Sequence, residues 1–285
     1  MIQSIGQLHS PAGKTLLKMW QVQVAPGKRP LQRHFHTRFE ITLICSGGGI
    51  YTTDRGNCPM KPGDIFVFAS NEFHCISDVA EEGLSIINLH FEPYFLEGMS
   101  ENHLNLCYAH SPAFKNRIPA ETAADLQAPF LAVRQELESQ EPEFALAIQS
   151  YLQQFMIALL RRHNYLDQKE DLPQMQNLME TLQYMDKHFT DPLTLQELAR
   201  RAGVTPTYFS ALFKNAFNLS PWDYITNKRV EHAIHLLHTA WGERNMLEIA
   251  TLSGFNNTAN FNKQFKRLTG MTPTQYHKSK EHIIH

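Results

Sequence analysis

The stretch that decides the fold is "TLQELARRAGVTPTYFSALFKNAFNLSP", Thr194 to Pro221, because the chain repeats it as "NMLEIATLSGFNNTANFNKQFKRLTGMTP", Asn245 to Pro273. The two strings align at an offset of 51 as far as the first glycine. Thr194 and Asn245 each suit a helix N-cap, and Glu197 and Glu248, three residues on, complete capping boxes. Ala199 and Ala250 occupy the same place, where a small side chain lets a second helix cross closely. Gly203 and Gly254 then end these helices, where a positive φ is needed. Thr205 caps a second helix with Pro206 as its first residue, the position that suits proline. In the copy Asn257 does the capping, after one inserted residue, Asn256.

Phe209, Leu212 and Phe213 form one apolar face of this second helix, and Phe261, Phe265 and Leu268 form its counterpart. The helices close on Asn218 and Gly270, both tolerant of left-handed geometry. "SPWDYI" and "TPTQYH" follow, each with a cap, a proline and a Tyr three residues on. Helix, tight turn, helix with a small residue at the crossing is the helix-turn-helix pattern, whose second helix enters the DNA major groove. Here two such units stand in register, joined by one long helix from Pro221 to about His238.

The opposite faces of the second helices hold the candidate DNA contacts at i, i+3, i+4, i+7 spacing. Base readers are Thr207, Ser210 and Ala211 in the first unit and Thr258, Ala259, Asn262 and Lys263 in the second. Asn suits adenine, Lys suits guanine, and Ala or a Thr methyl suits the thymine methyl. Lys214, Arg229, Lys266 and Arg267 are the candidate phosphate grips, together with the capped helix starts at Thr205 and Asn257.

These motifs resemble the DNA-binding domain of AraC/XylS-type transcription regulators over about Leu178 to Lys278, most specifically in "IA…GF…F…FK…G.TP..Y". The resemblance implies two units set by a rigid linking helix into successive major grooves, about 34 Å apart. It further implies a homodimer that contacts RNA polymerase and activates transcription more often than it represses. Many family members carry a long polar or basic reader at the position of Ala211, so the second unit is expected to supply more of the hydrogen-bonded readout.

The front of the chain has a different texture. Short runs such as "FEITLICS" and "DIFVFAS" alternate with "SGGG", "RGN" and "PGD", which reads as a β barrel or sandwich broken by turns. "GKRPLQRHFHTRFEITLICSG" from Gly27 holds His34, His36 and Glu40, and "PGDIFVFASNEFH" brings His74 eleven residues after Gly63. Side chains two and six apart on a strand share one side. The spacing resembles the two-part cupin signature, in which His, His, Glu and His point into a small barrel; AraC-type regulators often carry such a barrel as the effector domain. His34, His36, Glu40 and His74 can hold a divalent transition metal. They can equally line a pocket for a small polar effector such as a sugar, joined by Arg38, Asn88 and His90, the last of which also reads as a hydrogen-bonded core histidine.

From about Glu121 helical periodicity takes over, with Phe130, Val133, Leu137, Phe144, Ile148, Leu152, Phe155 and Leu159 on an apolar face that packs on the barrel or pairs with a second chain. The expected organisation is therefore multidomain: a cupin-like effector barrel over 1–120, a helical dimerisation segment over 121–165, a linker over 166–176 and an all-helical double helix-turn-helix domain over 177–285.

Composition agrees with this division. At 285 residues and 42% hydrophobic the chain suits two globular domains. From Met175 onward there are 12 Lys and Arg against 9 Asp and Glu, whereas the rest has 14 against 19, so the basic excess lies where a polyanion would bind. No apolar run reaches the ~20 residues of a membrane span, and the N-terminus lacks a signal-peptide pattern, so a cytoplasmic protein is expected. Cys45, Cys58, Cys75 and Cys107 lack metal-ligand spacing and read as reduced, mostly buried thiols. The reading is not that of an enzyme. Two alternatives stay open: a metal-dependent cupin enzyme using the His/Glu set, and a DNA-binding protein without an effector.

Overall fold

The computed structural model describes residues 2–9, 15–28, 36–53, 55–70, 72–92, 95–96, 115–162, 175–217, 219–239 and 244–278. The chain divides into two compact units, residues 1–31 with 38–169 and residues 32–37 with 170–285. No helix among the described residues is long and apolar enough to cross a membrane.

The first unit is an eight-stranded antiparallel sheet followed by a helical hairpin. Its strands are β1 (Ile2–His9), β2 (Thr15–Val24), β3 (Gly27–Lys28), β4 (Phe39–Thr53), β5 (Gly56–Met60), β6 (Ile65–Phe68), β7 (His74–Phe91) and β8 (Arg117–Ile118). The main path runs β1-β2-β7-β4-β6-β8, with β3 on β7 and β5 on β4. "SGGG" is not the break expected from its composition. β4 runs through it as a bulged strand, with register shifts against β7 between Ile44 and Ser46 and between Gly47 and Gly49. Only glycine fits there: Gly47 has φ +75°, and a Cβ on it would stand 1.9 Å from the Gly83 carbonyl oxygen. The bulges fold the far halves of β4 and β7 back over the sheet, so that Tyr51 lies against Phe66 and Phe68, at centroid distances of 4.8 and 5.2 Å.

Register sorts the strand residues into two sets. Leu17, Phe91 and Phe39 form one row and Met19, Leu89, Ile41 and Val67 the next, all wholly buried. The residues between them point to the other face, which is the interior that the curled sheet encloses. Helix α1 (Ala124–Ser139) and helix α2 (Phe144–Arg162) form the hairpin, burying Phe130, Val133 and Leu137 and Ile148, Leu152, Phe155 and Leu159; Phe144 is half-buried. α1 reaches β1 where Gly6 lies against Leu137. The thiols are less buried than expected: Cys45 is exposed, and Cys58 and Cys75 are half-buried. The β4 bulge breaks the alternation at Cys45 and turns it outward. Cys107 lies outside the described residues.

The second unit holds seven helices among its described residues: α3 (Met175–His188), α4 (Leu195–Arg201), α5 (Pro206–Phe217), α6 (Pro221–Thr239), α7 (Met246–Leu252), α8 (Thr258–Thr269) and α9 (Pro273–Lys278). The α7 capping box is complete: Glu248 N–H donates to Asn245 Oδ1 at 3.0 Å and Asn245 N–H to Glu248 Oε2 at 2.9 Å. Its counterpart on α4 is half formed. Thr194 Oγ1 accepts from Glu197 N–H, but the Glu197 carboxylate accepts from the Tyr184 hydroxyl at 2.7 Å instead. Two cores result. Phe209, Phe213, Phe217 and Tyr224 form an aromatic chain in the first. The second gathers Ile249, Ala250, Phe255, Phe261, Phe265 and Tyr276. α6 serves both, giving Tyr224 and Ile225 to one and Val230, Ala233 and Leu237 to the other.

Candidate functional site

Two sites emerge, one per unit. In the helical unit, α4–α5 and α7–α8 are the paired helices, with the second of each pair capped as the sequence demands. Tyr208 N–H donates to Thr205 Oγ1, and Asn260 N–H donates to Asn257 Oδ1 at 2.7 Å. With Phe209 and Phe213 inward, α5 exposes Thr207, Tyr208, Ala211 and Lys214, while Ser210 is half-buried and donates to the Pro206 carbonyl. α8 exposes Ala259, Asn262, Lys263, Lys266 and Arg267 around the buried Phe261 and Phe265; Thr258 is half-buried. Sequence reasoning passed over Tyr208, 46% exposed, because an aromatic next to Phe209 reads as core; its i, i+3 relation to the exposed Ala211 was the available signal.

Arg229 is a correction. It does not reach out for a phosphate: its Nε donates to the Phe189 carbonyl at 2.6 Å and its Nη2 to the Asp191 carbonyl at 3.0 Å. Burial lowers its affinity for its proton, against the pull of Asp191. Arg267 is exposed but tethered, with Nε donating to Gln264 and Nη2 to Asp223.

In the sheet unit the inward rows carry the polar chemistry. Lys18 pairs with His90, His90 with Glu40 and Glu40 with Phe68; one step along, Trp20, Asn88, Thr42 and Phe66 follow the same path. Glu40, 3% exposed, is the hub. Its Oε2 lies 3.0 Å from His74 Nε2 and 2.7 Å from His90 Nε2. His74 Nδ1 is 3.0 Å from the Glu72 carbonyl, which can only accept, so that nitrogen carries a proton. Burial acts against a charged His74, but the Glu40 carboxylate and the Glu72 contacts outweigh it and raise its pKa. Phe68 stacks on its ring at 4.0 Å. Thr42 Oγ1 lies 2.7 Å from Glu40 Oε1 and 2.9 Å from Asn88 Oδ1. A hydroxyl has one hydrogen, so turning the Asn88 amide to present its nitrogen satisfies both contacts.

Of the residues expected in this pocket, the structure gathers Glu40, His74, His90 and Asn88. Arg38 pairs with Glu92 at 3.5 Å. His36 is buried and offers a ring nitrogen within 4.8 Å of the ligand atoms of Glu40 and His90; His34 lies outside the described residues. Two imidazoles converge on one Glu40 oxygen by hydrogen bonds, and among the described residues the set whose ligand atoms suit a divalent transition metal is His36, Glu40 and His90. Trp20, Lys18 and Thr42 went unseen, since only strand register brings them in. Trp20 is 2% exposed, and its Nε1–H has no acceptor among the described residues. Leaving a buried donor unpaired costs about 1–3 kcal/mol. Lys18 stands 5.0 Å above the Trp20 ring, its charge disfavoured by burial and by Arg38.

Comparison with known proteins bears on both sites. The helix-turn-helix domain family matches residues 198–279, and the AraC-like ligand binding domain family matches residues 25–156. The probable transcriptional regulator LumQ of Photobacterium leiognathi is 23% identical over 85% of this chain and 90% of its own. The HTH-type transcriptional regulator YdeC of Bacillus subtilis is 20% identical over 86% of this chain and 85% of its own. Among solved structures, ToxT of Vibrio cholerae superposes with a TM-score of 0.62 at 12% identity, covering 92% of this chain and 98% of that one. A further ToxT structure, with an unsaturated fatty acid bound, gives 0.59 at 14% identity over 92% and 94%. At these identities the likeness is one of fold.

Proposed function

The chain belongs to the AraC-type transcription regulators, with a ligand-binding domain and a helix-turn-helix DNA-binding domain, and from that premise we propose that it is a cytoplasmic activator governed by a small polar effector, such as a carbohydrate, held inside the curled sheet. Members of the family regulate transcription and are not enzymes. The observation that carries the effector reading is the Trp20 indole N–H, buried without an acceptor among the described residues and beside the Glu40, His74 and His90 cluster. A hydroxylated ligand supplies that acceptor, offers its own hydroxyls to the cluster and stacks on the aromatic walls. A divalent transition metal held by His36, Glu40 and His90 would supply a Lewis-acid anchor for such a ligand. A thermal-shift screen of the whole chain against sugars, organic acids and metals tests the reading. At 100 times Kd an effector raises stability by about 2.7 kcal/mol; loss of the shift in Trp20→Phe places it in this interior, and an unchanged shift removes it.

A carboxylic acid is the second reading. Lys18 and Arg38 are both only partly buried and close enough for Arg38 to disfavour the Lys18 charge, a repulsion that an anion relieves. ToxT structures carry an unsaturated fatty acid and (E)-4-(8-methylnaphthalen-1-yl)but-3-enoic acid, both carboxylic acids.

On the DNA side we assign base reading to Thr207, Ser210 and Ala211 and to Thr258, Ala259, Asn262 and Lys263, and phosphate contact to Lys214, Lys266, Arg267 and the helix starts at Thr205 and Asn257. Lys263→Ala is expected to relax base preference at one or two positions. Lys266→Ala weakens binding to every sequence and lowers the slope of log K against log salt by about one. Titrations at several salt concentrations check this, and identical behaviour of the two variants counts against the division.

We assign a second copy of this chain to the α1–α2 hairpin, where Leu131, Leu146 and Ile157 are 45, 62 and 38% exposed. Ile157→Glu together with Leu146→Glu is expected to leave a monomer in sedimentation, at least tenfold weaker on a paired operator. Unchanged mass moves the interface elsewhere. RNA polymerase is the further partner that activation requires.

A further inference from the structure

We propose that Arg229 locks the two helix-turn-helix units at one fixed phase, so that it sets the spacing of the two DNA segments read without touching DNA itself. The inference rests on the DNA-binding reading above and adds to it a positioning residue in the connecting helix.

The two units have separate cores, and α6 runs through both. A helix alone holds its two ends only as firmly as the side chains packed on it, so the relative setting of α5 and α8 depends on what else joins the units. The backbones approach closely at a seam. A Cβ on Gly254, in the turn between α7 and α8, would stand 2.7 Å from Thr190 Cα, 2.9 Å from the Thr190 carbonyl oxygen and 2.8 Å from Arg229 Nε. The turn of the second unit thus lies directly on the connection between α3 and α4 of the first. The equivalent glycine of the first unit does not share this role: a Cβ on Gly203 would meet only Asn177 Nδ2, at an ordinary 3.5 Å. Gly203 answers to its backbone angle; Gly254 answers to its angle and to the seam.

Arg229 sits in that junction. Its guanidinium fork grips the carbonyls of Phe189 and Asp191, on either side of Thr190. Two rigid donors on acceptors two residues apart fix the direction as well as the distance of the segment they hold. His232, one turn along α6, sets its ring edge against Phe189 at 5.5 Å. One face of the connecting helix therefore holds both units at the point where they touch. Two readers held rigidly combine their binding energies only on DNA whose segments match their spacing, whereas two loosely joined readers tolerate several spacings.

The test uses the full chain and a duplex enriched from a randomised library by the wild type. Inserting two base pairs between the two protected segments rotates one against the other by about 70°. For the wild type this insertion is expected to cost ~100-fold in affinity, since one reader loses its segment. Arg229→Gln is expected to bind the parent duplex about tenfold more weakly, to lose less than about fivefold on the insertion, and to match the wild type on duplexes carrying either segment alone. Gly254→Ala, which forces the seam apart, is expected to behave likewise. Spacing discrimination as strong as the wild type's in both variants overturns the proposal. So does loss of binding to the single segments, which makes Arg229 a support of one reader's fold. Enrichment of no duplex by the wild type overturns this proposal and the DNA reading together, and that arm is read first.

Discussion

Asp186→Ala is expected to cost the helical unit about 3–5 kcal/mol, the range for removing one partner of a buried ion pair. Asp186 on α3 is almost wholly buried, as is Lys228 on α6, and their charged atoms lie 3.1 Å apart. The same carboxylate oxygen accepts from the Tyr224 hydroxyl at 2.8 Å. Alanine leaves the Lys228 ammonium buried without this carboxylate, and the loss of that charge rather than lost packing dominates the penalty. For a unit of this size the loss corresponds to a fall of roughly 10–20 °C in the helical circular-dichroism transition. Asp186→Leu combined with Lys228→Met is expected to recover most of it, because similar-sized apolar side chains carry no desolvation cost. A loss under about 1 kcal/mol in the single variant would show that the pair behaves as a solvated surface pair. DNA binding should follow stability, since α3 packs on α4 and α6 of the first helix-turn-helix unit.

How much of this was legible follows the range of each interaction along the chain. Caps, glycine stops and apolar stripes act within a few residues, so the doubled unit could be read directly from Thr194 to Pro221 and Asn245 to Pro273. The half-formed box at Thr194 shows the limit of such reading: Glu197 turns to Tyr184, thirteen positions back. In the sheet, Glu40 meets His74 and His90, which lie 34 and 50 positions away. Alternation announced that Glu40 faces one side, but only the register of β2, β4 and β7 decides that Trp20, Asn88 and His90 share it. The glycine run read as a break because a turn and a bulge use the same residue for the same positive φ. Arg229 was misread for a different reason. Backbone carbonyls exist at every position and leave no mark in a sequence, so an arginine that spends its donors on them looks identical to one waiting for a phosphate.

Glu40→Ala is the variant expected to separate effector from DNA. Two imidazoles and the Thr42 hydroxyl lose their common acceptor inside the sheet, at a cost of about 3–5 kcal/mol to that unit. Effector-induced stabilisation should vanish, while affinity for a single DNA segment stays within about twofold, because no helix of the DNA-binding unit supplies these groups. Glu40→Gln is the gentler partner. A Gln amide can donate to His74 Nε2 and still accept from Thr42, so the fold should survive with a loss of about 1–2 kcal/mol. What disappears is the charge that raises the His74 pKa above its usual value. In the wild type a raised folded-state value means that His74 contributes stability fully below its unfolded pKa, about 6.5, and loses it as pH climbs through the folded value. Urea unfolding of chelator-treated protein between pH 5.5 and 9 should therefore show wild-type stability declining toward alkaline pH relative to Glu40→Gln. An imidazole titration followed by NMR supplies the matching shift. Parallel pH curves for the two proteins would mean that Glu40 and His74 share a neutral hydrogen bond, and the buried charge would then have to be removed from the account of effector recognition.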